Sequence, residues 1–257
     1  MSSASSRWLV QSPADNAAQV RLVCIPHAGG GASTFHAWRE LLKPSIAVCS
    51  IQLPGREDRF REPPVRLLAE ILESITGALS SLDDRPLVLF GHSMGAIIAF
   101  EVARQLEAAG RTGPAALLVS GRSAPHLINR APQVGHLPSS QLLNRIAELY
   151  GGIPAMLLSD PEMAAMMERP LRADLAILEN YEYVTAEMLH CPLMAFGGED
   201  DAWVTVDELD AWRQHTRGDF SSMQFRGDHF YFRTYRTQLA LLARIRECCL
   251  AAALRSR

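Results

Sequence analysis

The chain has little that would tie it to a membrane, a nucleic acid or a metal. Nowhere in its 257 residues does an apolar run approach the ~20 residues of a membrane span. Met1 to Val20 holds no apolar stretch of the length a secretory signal requires. Positive charge is not in excess: 25 basic against 28 acidic side chains leave a net charge of −3, which argues against a nucleic-acid binder with its basic face. Lysine is nearly absent, Lys43 standing beside 24 arginines, and this reads as coding bias rather than chemistry. The five cysteines (Cys24, Cys49, Cys191, Cys248, Cys249) are an odd number without metal-ligand spacing. They are expected to be reduced thiols of a cytoplasmic protein, with no bound metal. What remains is 48% hydrophobic and 21% charged residues in a length suited to one large α/β domain. Such a chain buries roughly three quarters of its unfolded surface.

Short apolar runs alternate with helical patterns. Arg21–Pro26, Ile46–Leu53, Pro86–Phe90, Ala115–Ser120, Leu193–Phe196 and Met223–Phe225 are predicted strands, and residues 1–19 a loose arm or edge element. Leu68, Ile71, Leu72, Ile75 and Leu79 fall at helical spacing. Another helix follows Gly95 and closes at Gly110 and Gly113, and a last one spans about Thr237 to Leu254. Strands separated by helices predict a mostly parallel sheet covered on both faces. Between Arg122 and His190 the rhythm changes to about three helices without strands: one begun by Ser139 or Ser140, one at Asp160-Pro161, one over Leu171–Tyr181. The expected organisation is one domain, with core segments of about 20–121 and 191–257 and a helical lid of about 122–190.

Gly91-His92-Ser93-Met94-Gly95 fits G-x-S-x-G between a strand and a helix. A sharp strand-to-helix turn thrusts a serine hydroxyl out of a sheet, and the flanking glycines avoid collision there. The Met94 N–H then faces the place where an oxyanion forms. A serine hydroxyl needs a base, and the base needs a group to orient it, here in the chain order Ser, Asp, His. His27, His36 and His92 precede the serine; His126, His136 and His190 fall in the lid; His215 lies beside Arg213 and Arg217 in a helix predicted to be exposed. His229, in Gly227-Asp228-His229-Phe230 before the last helix, is the predicted base. The acid is expected after the Leu193–Phe196 strand, where Asp200 and Asp201 both qualify and the spacing from Gly198 favours Asp201. Asp160, Asp174 and Asp228 read as helix caps or solvent-exposed groups. A second oxyanion donor is expected from Pro26-His27-Ala28-Gly29-Gly30-Gly31, at Ala28 or, second, Gly29. Each such donor is worth ~3–4 kcal/mol in the transition state. This loop lacks the Gly-Lys-Ser/Thr of a P-loop and the spacing of a dinucleotide fingerprint.

PHAGGGAS (26–33), QLPGREDR (52–59), GHSMG (91–95), GGEDD (197–201) and GDHF (227–230) together resemble type II thioesterases, the free-standing editing enzymes of nonribosomal peptide and polyketide synthases. The resemblance runs from about residue 20 to 250, and the PHAGG loop with LPGRExR is its most specific part. It implies an α/β-hydrolase fold with a helical lid, acting on acyl, aminoacyl or peptidyl groups on the phosphopantetheine arm of a carrier protein. It implies Ser93 as nucleophile, His229 as base, Asp201 as orienting acid, and Ala28 and Met94 as oxyanion donors. No cofactor is implied, since phosphopantetheine arrives with the substrate, and the family tends to be monomeric. One departure is Asp201-Ala202-Trp203, where many relatives carry proline after the acid.

An acidic carrier would call for a basic rim, with Arg56, Arg59 and Arg61 as candidates against a reading as ordinary solvated surface. Met156, Met163, Met166 and Met167 could line an acyl pocket or simply pack the lid. Competing readings are a small-molecule carboxylesterase or lipase with the same triad, an acyltransferase, and a non-catalytic hydrolase-like binder.

Overall fold

A computed structural model describes residues 5–11, 17–153 and 155–255. Seven strands form one sheet: β1 (Leu9–Gln11), β2 (Val20–Ile25), β3 (Ile46–Ile51), β4 (Leu87–His92), β5 (Ala116–Ser120), β6 (Leu193–Gly198) and β7 (Phe220–Phe225), in the order β1-β3-β2-β4-β5-β6-β7. All neighbours run parallel except β1, which pairs antiparallel with β3 at the edge. Residues 1–19 were expected to be an arm or an edge element, and β1 is an edge strand; residues 1–4 and 12–16 lie outside the described residues.

Strand side chains alternate between faces, and here both faces are apolar because both are covered. Val20, Leu22 and Cys24 of β2 join a core that holds Trp38 and Leu42 of α1 (His36–Leu42) and Leu241 and Ile245 of the last helix (Tyr235–Arg255). Val23 and Ile25 turn to the opposite core, with Ile71 and Ile75 of α2 (Leu68–Leu79) and Ile98 and Val102 of α3 (Met94–Ala108). Burying each such side chain contributes roughly 1.5–3 kcal/mol. This is the α/β-hydrolase layering that the sequence led us to expect. Gly110 ends α3 in a left-handed conformation, φ 66°, its N–H donating to the Glu107 carbonyl.

Among the described residues three helices rise between β5 and β6: α4 (Ser139–Tyr150), α5 (Ala155–Ser159) and α6 (Pro161–Glu179). Leu142, Leu143 and Ile146 of α4 and Leu171 and Leu175 of α6 form a small core of their own. Two expectations are corrected here. The separate helices predicted at Asp160-Pro161 and Leu171–Tyr181 are one helix, capped by Asp160, which accepts from the N–H groups of Glu162 and Met163. Pro170 sits inside it, and the carbonyl it deprives of a partner belongs to exposed Met166, where water can serve. Neither Ser139 nor Ser140 caps α4, whose N-cap is Pro138; the Ser139 hydroxyl donates instead to Glu168 of α6, 2.7 Å away. Among the described residues no helix is long and apolar enough to cross a membrane.

Candidate active site

Parallel strands bring their carboxyl ends to one edge, and the loops that follow β2, β4, β5, β6 and β7 meet there. In-line pairing of Ile25 with Gly91, His92 with Ser120, and Ser120 with Phe196 makes these ends level. Ser93 stands at the junction of β4 and α3 with φ 55° and ψ −112°, a left-handed conformation that a non-glycine residue rarely holds. Its N–H donates to the Ser120 carbonyl at 2.7 Å, which fixes the turn to β5. The glycines are required by contact rather than by flexibility. A Cβ on Gly91 would strike the Gly95 carbonyl, and one on Gly95 the Ile25 carbonyl.

His229 follows β7, and its Nδ1 lies 2.8 Å from Asp201 Oδ2 at the end of β6. Both side chains are buried, and the second Asp201 oxygen accepts the Trp203 N–H at 2.9 Å. Asp200, the other carboxylate left open by the sequence, is exposed, while its N–H is used on the Gly227 carbonyl. Ser93 and His229 line one cavity of about 130 Å³ together with Ala28. No hydrogen bond joins the Ser93 hydroxyl to His229 among the described residues; such contacts close when substrate binds. Met94 opens α3, so its N–H has no intrahelical partner. The Gly29 N–H, the second of the two donors expected on that loop, is spent on Asp174 at 2.7 Å.

Around the imidazole of His229 lie two further imidazoles. His92 packs 5.0 Å from it, its Nδ1 2.9 Å from the Ser120 hydroxyl, which in turn meets the Tyr231 hydroxyl at 2.7 Å. It was read as a packed residue, and it is fully buried. His27 stacks edge-on against Phe230, ring centroids 4.8 Å apart. Burial lowers the pKa of His92 well below the ordinary value and that of His27 to about 3. Two neutral rings beside His229 add no competing positive charge there.

Several charged residues sit elsewhere than predicted. Arg56 and Arg59 form no rim: both are buried, Arg56 in a bidentate pair with Asp174 (2.5 and 2.9 Å), Arg59 on Glu62 and the Gln52 carbonyl. Asp174 is accordingly neither cap nor surface group but 1% exposed. His215 is buried too, its Nε2 2.7 Å from His126 Nδ1. Of the four methionines only Met167 lines the cavity, and Met156, Met163 and Met166 are exposed. Tyr150, which packs on His229, and Trp203, which packs on Tyr150 and ties β6's loop to α4 through its indole on the Leu149 carbonyl, have no sequence signal beyond their aromatic character.

The Thioesterase domain family matches residues 20–248. The chain belongs to that family. It is 41% identical over 226 residues to the gramicidin S biosynthesis protein GrsT of Aneurinibacillus migulanus, covering 88% of each chain. It is 40% identical over 231 residues to thioesterase PikA5 of Streptomyces venezuelae, covering 88% of this chain and 80% of that one. The type II thioesterase BorB from the borrelidin biosynthetic cluster superposes with a TM-score of 0.84 at 36% identity, covering 95% of this chain and 98% of BorB. The protein is therefore an enzyme, a hydrolase acting on thioesters, and the resemblance read from its loop motifs is borne out.

Acid should destabilise this thioesterase before its carboxylates titrate. Burial depresses the native pKa of His215 to about 4 and of His27 to about 3, against 6.5 for the exposed residue. Above pH 6.5 neither state holds these protons, so they cost nothing. Below it the unfolded chain takes up protons that the native state refuses, and stability falls as pH drops from 6.5 towards 4. Urea midpoints measured at half-unit pH steps would show the decline; a midpoint flat between pH 6.5 and 5 would contradict neutral burial.

Proposed function

We propose that this thioesterase clears acyl, aminoacyl or peptidyl groups from the phosphopantetheine arm of carrier-protein domains in nonribosomal peptide or polyketide synthases. It acts in the cytoplasm as a monomer and needs no cofactor of its own. Ser93 is the nucleophile, His229 the general base and Asp201 its orienting acid. The segment of about 122–190 serves as a lid over the acyl site. The observation that carries the chemistry is the buried Asp201–His229 hydrogen bond, 2.8 Å, opening on the cavity that Ser93 also lines. The carrier-bound substrate is supported by the kinship with GrsT and BorB.

The geometry suits the steps in turn. Asp201 accepts from Nδ1, so Nε2 is left to take the Ser93 proton as Oγ attacks the thioester carbonyl carbon. Negative charge on the carbonyl oxygen is met by the N–H groups of Ala28 and Met94. The carbon–sulfur bond then breaks, and the sulfur leaves with the proton that His229 holds, readily because a thiol's pKa is only ~8.5; this leaves an acyl-serine and a neutral imidazole. Water then enters and gives a proton to His229 as its oxygen attacks the acyl carbon; the bond from that carbon to Oγ breaks, His229 returns the proton to Oγ, and the free acid leaves.

Intact-mass spectrometry of an acylated carrier protein incubated with the enzyme tests this, with a p-nitrophenyl ester in parallel. Loss of the acyl mass, absent with Ser93→Ala and faster than ester cleavage, is expected. Rapid ester cleavage beside an untouched carrier would instead mark a small-molecule esterase.

A further inference from the structure

The arginines around the cavity differ in one respect. Arg56 is neutralised by Asp174, and Arg233 donates to the Gly152 carbonyl at 2.9 Å while lying 4.0 Å over the Phe230 ring. Arg122 lines the same cavity yet, among the described residues, makes no ion pair and no side-chain hydrogen bond. Its backbone is held firmly, since the fully buried Trp212 donates its indole N–H to the Arg122 carbonyl at 2.8 Å. The preceding residue, Gly121, is close enough to the reacting centre that a Cβ there would come within 3.3 Å of His229 Cε1. Arg122 thus stands beside the nucleophile's site, with only a little of its surface open.

A guanidinium in such a wall is poorly hydrated, and a desolvated cation is tolerated when a counter-charge reaches it. The side chains whose negative charge would bear on it are the phenols of Tyr150 and Tyr181. Burial raises the pKa of both phenols, so at neutral pH neither is an anion. Beside Tyr150, the side chains of α4 and α6 that line the cavity, Ile146, Met167, Leu171, Leu175 and Leu178, are apolar. Among the described residues nothing therefore supplies a counter-charge, and a substrate that brings one gains a planar fork matched to two oxygens.

We propose that Arg122 receives a carboxylate carried by the acyl group, so that this enzyme prefers thioesters of carboxyacyl chains, as in half-thioesters of dicarboxylic acids. The inference rests on the reading of this cavity as the acyl site. An anionic group also exists on the substrate's arm, as phosphate, but the whole pantetheine chain separates it from the sulfur, whereas Arg122 is one residue from Gly121 at the imidazole.

Pantetheine thioesters in shape-matched pairs provide the test: malonyl against 3-methylbutanoyl, and glutaryl against 5-methylhexanoyl. The carboxylate member should exceed its isostere in kcat/KM by about tenfold to a hundredfold in at least one pair, the worth of a charge-assisted hydrogen bond. That ratio should collapse in Arg122→Leu and stay partly intact in Arg122→Lys, which keeps the charge without the fork. A wild-type preference for the apolar member in both pairs overturns the proposal without using any variant. So does a ratio unchanged by Arg122→Leu. Repeating the series with coenzyme A thioesters separates the two anion sources: if Arg122→Leu penalises only thioesters with the arm's phosphate, the site belongs to the arm and the proposal fails. Cleavage of the apolar members alone overturns this inference and spares the thioesterase reading. Failure to cleave any of the thioesters overturns both.

Discussion

Replacing Ser93 with alanine should lower thioester turnover by on the order of a millionfold, the penalty that removing a serine nucleophile or its base incurs in serine hydrolases. His229→Ala should do the same, and the double variant should be scarcely worse, because nucleophile and base act as one unit. The fold should survive. Ser93 bonds to β5 through its backbone N–H, which alanine keeps, and no side-chain hydrogen bond of its own is lost from the core. The acid separates the two candidate carboxylates. Asp201→Asn keeps the shape but invites the wrong imidazole tautomer, a change worth about 10⁴-fold in a serine protease triad. Asp200→Asn, on an exposed side chain, should have little effect. Single-turnover rates on one acyl thioester decide the matter, and a large loss in Asp200→Asn with activity kept in Asp201→Asn would move the role back one residue.

Truncating Asp174 to alanine should cost about 3–5 kcal/mol of stability, since it strands a buried guanidinium. The carboxylate is 1% exposed, holds Arg56 at 2.5 and 2.9 Å, and also accepts the Gly29 N–H at 2.7 Å. Arg56 reaches further, to the Gly30 carbonyl at 3.2 Å. One ion pair thus joins α6 to the loop that carries Ala28, so the loss should also loosen an oxyanion donor. A misplacement of about 1 Å near the chemistry can cost up to about a hundredfold in rate. The double variant Arg56→Leu/Asp174→Leu distinguishes the two consequences. With both charges removed, stability should return in large part, while kcat stays low because the Gly29 N–H still lacks its acceptor. Urea unfolding and kcat measured on the same three proteins would show this. A midpoint unchanged in Asp174→Ala would mean that the pair stabilises nothing.

The same pair shows where sequence reading stopped. Arg56 and Arg59 look like surface charge in REDR, and Asp174 looks like one polar position among many on a helix. Arg56 and Asp174 are 118 residues apart, and no periodicity or spacing connects them. His215 is hidden from sequence reading for the same reason: its flanking arginines are exposed, and its partner, His126, is 89 residues away.

What the sequence determined by itself are the features governed by neighbours a few residues apart. Alternating apolar runs specified the parallel strands. Glycines at 91 and 95 specified the turn that lifts Ser93, because any Cβ there meets backbone. The spacing after β6 and β7 placed an aspartate and a histidine at strand ends, and strand ends in a parallel sheet share one edge. The tertiary structure alone decided which aspartate bonds to His229, which arginines turn inward, and that Arg122 faces the cavity without an anion. Those outcomes depend on which side chains share a desolvated space, and in a low-dielectric interior a charge's partner is chosen by distance in space rather than along the chain.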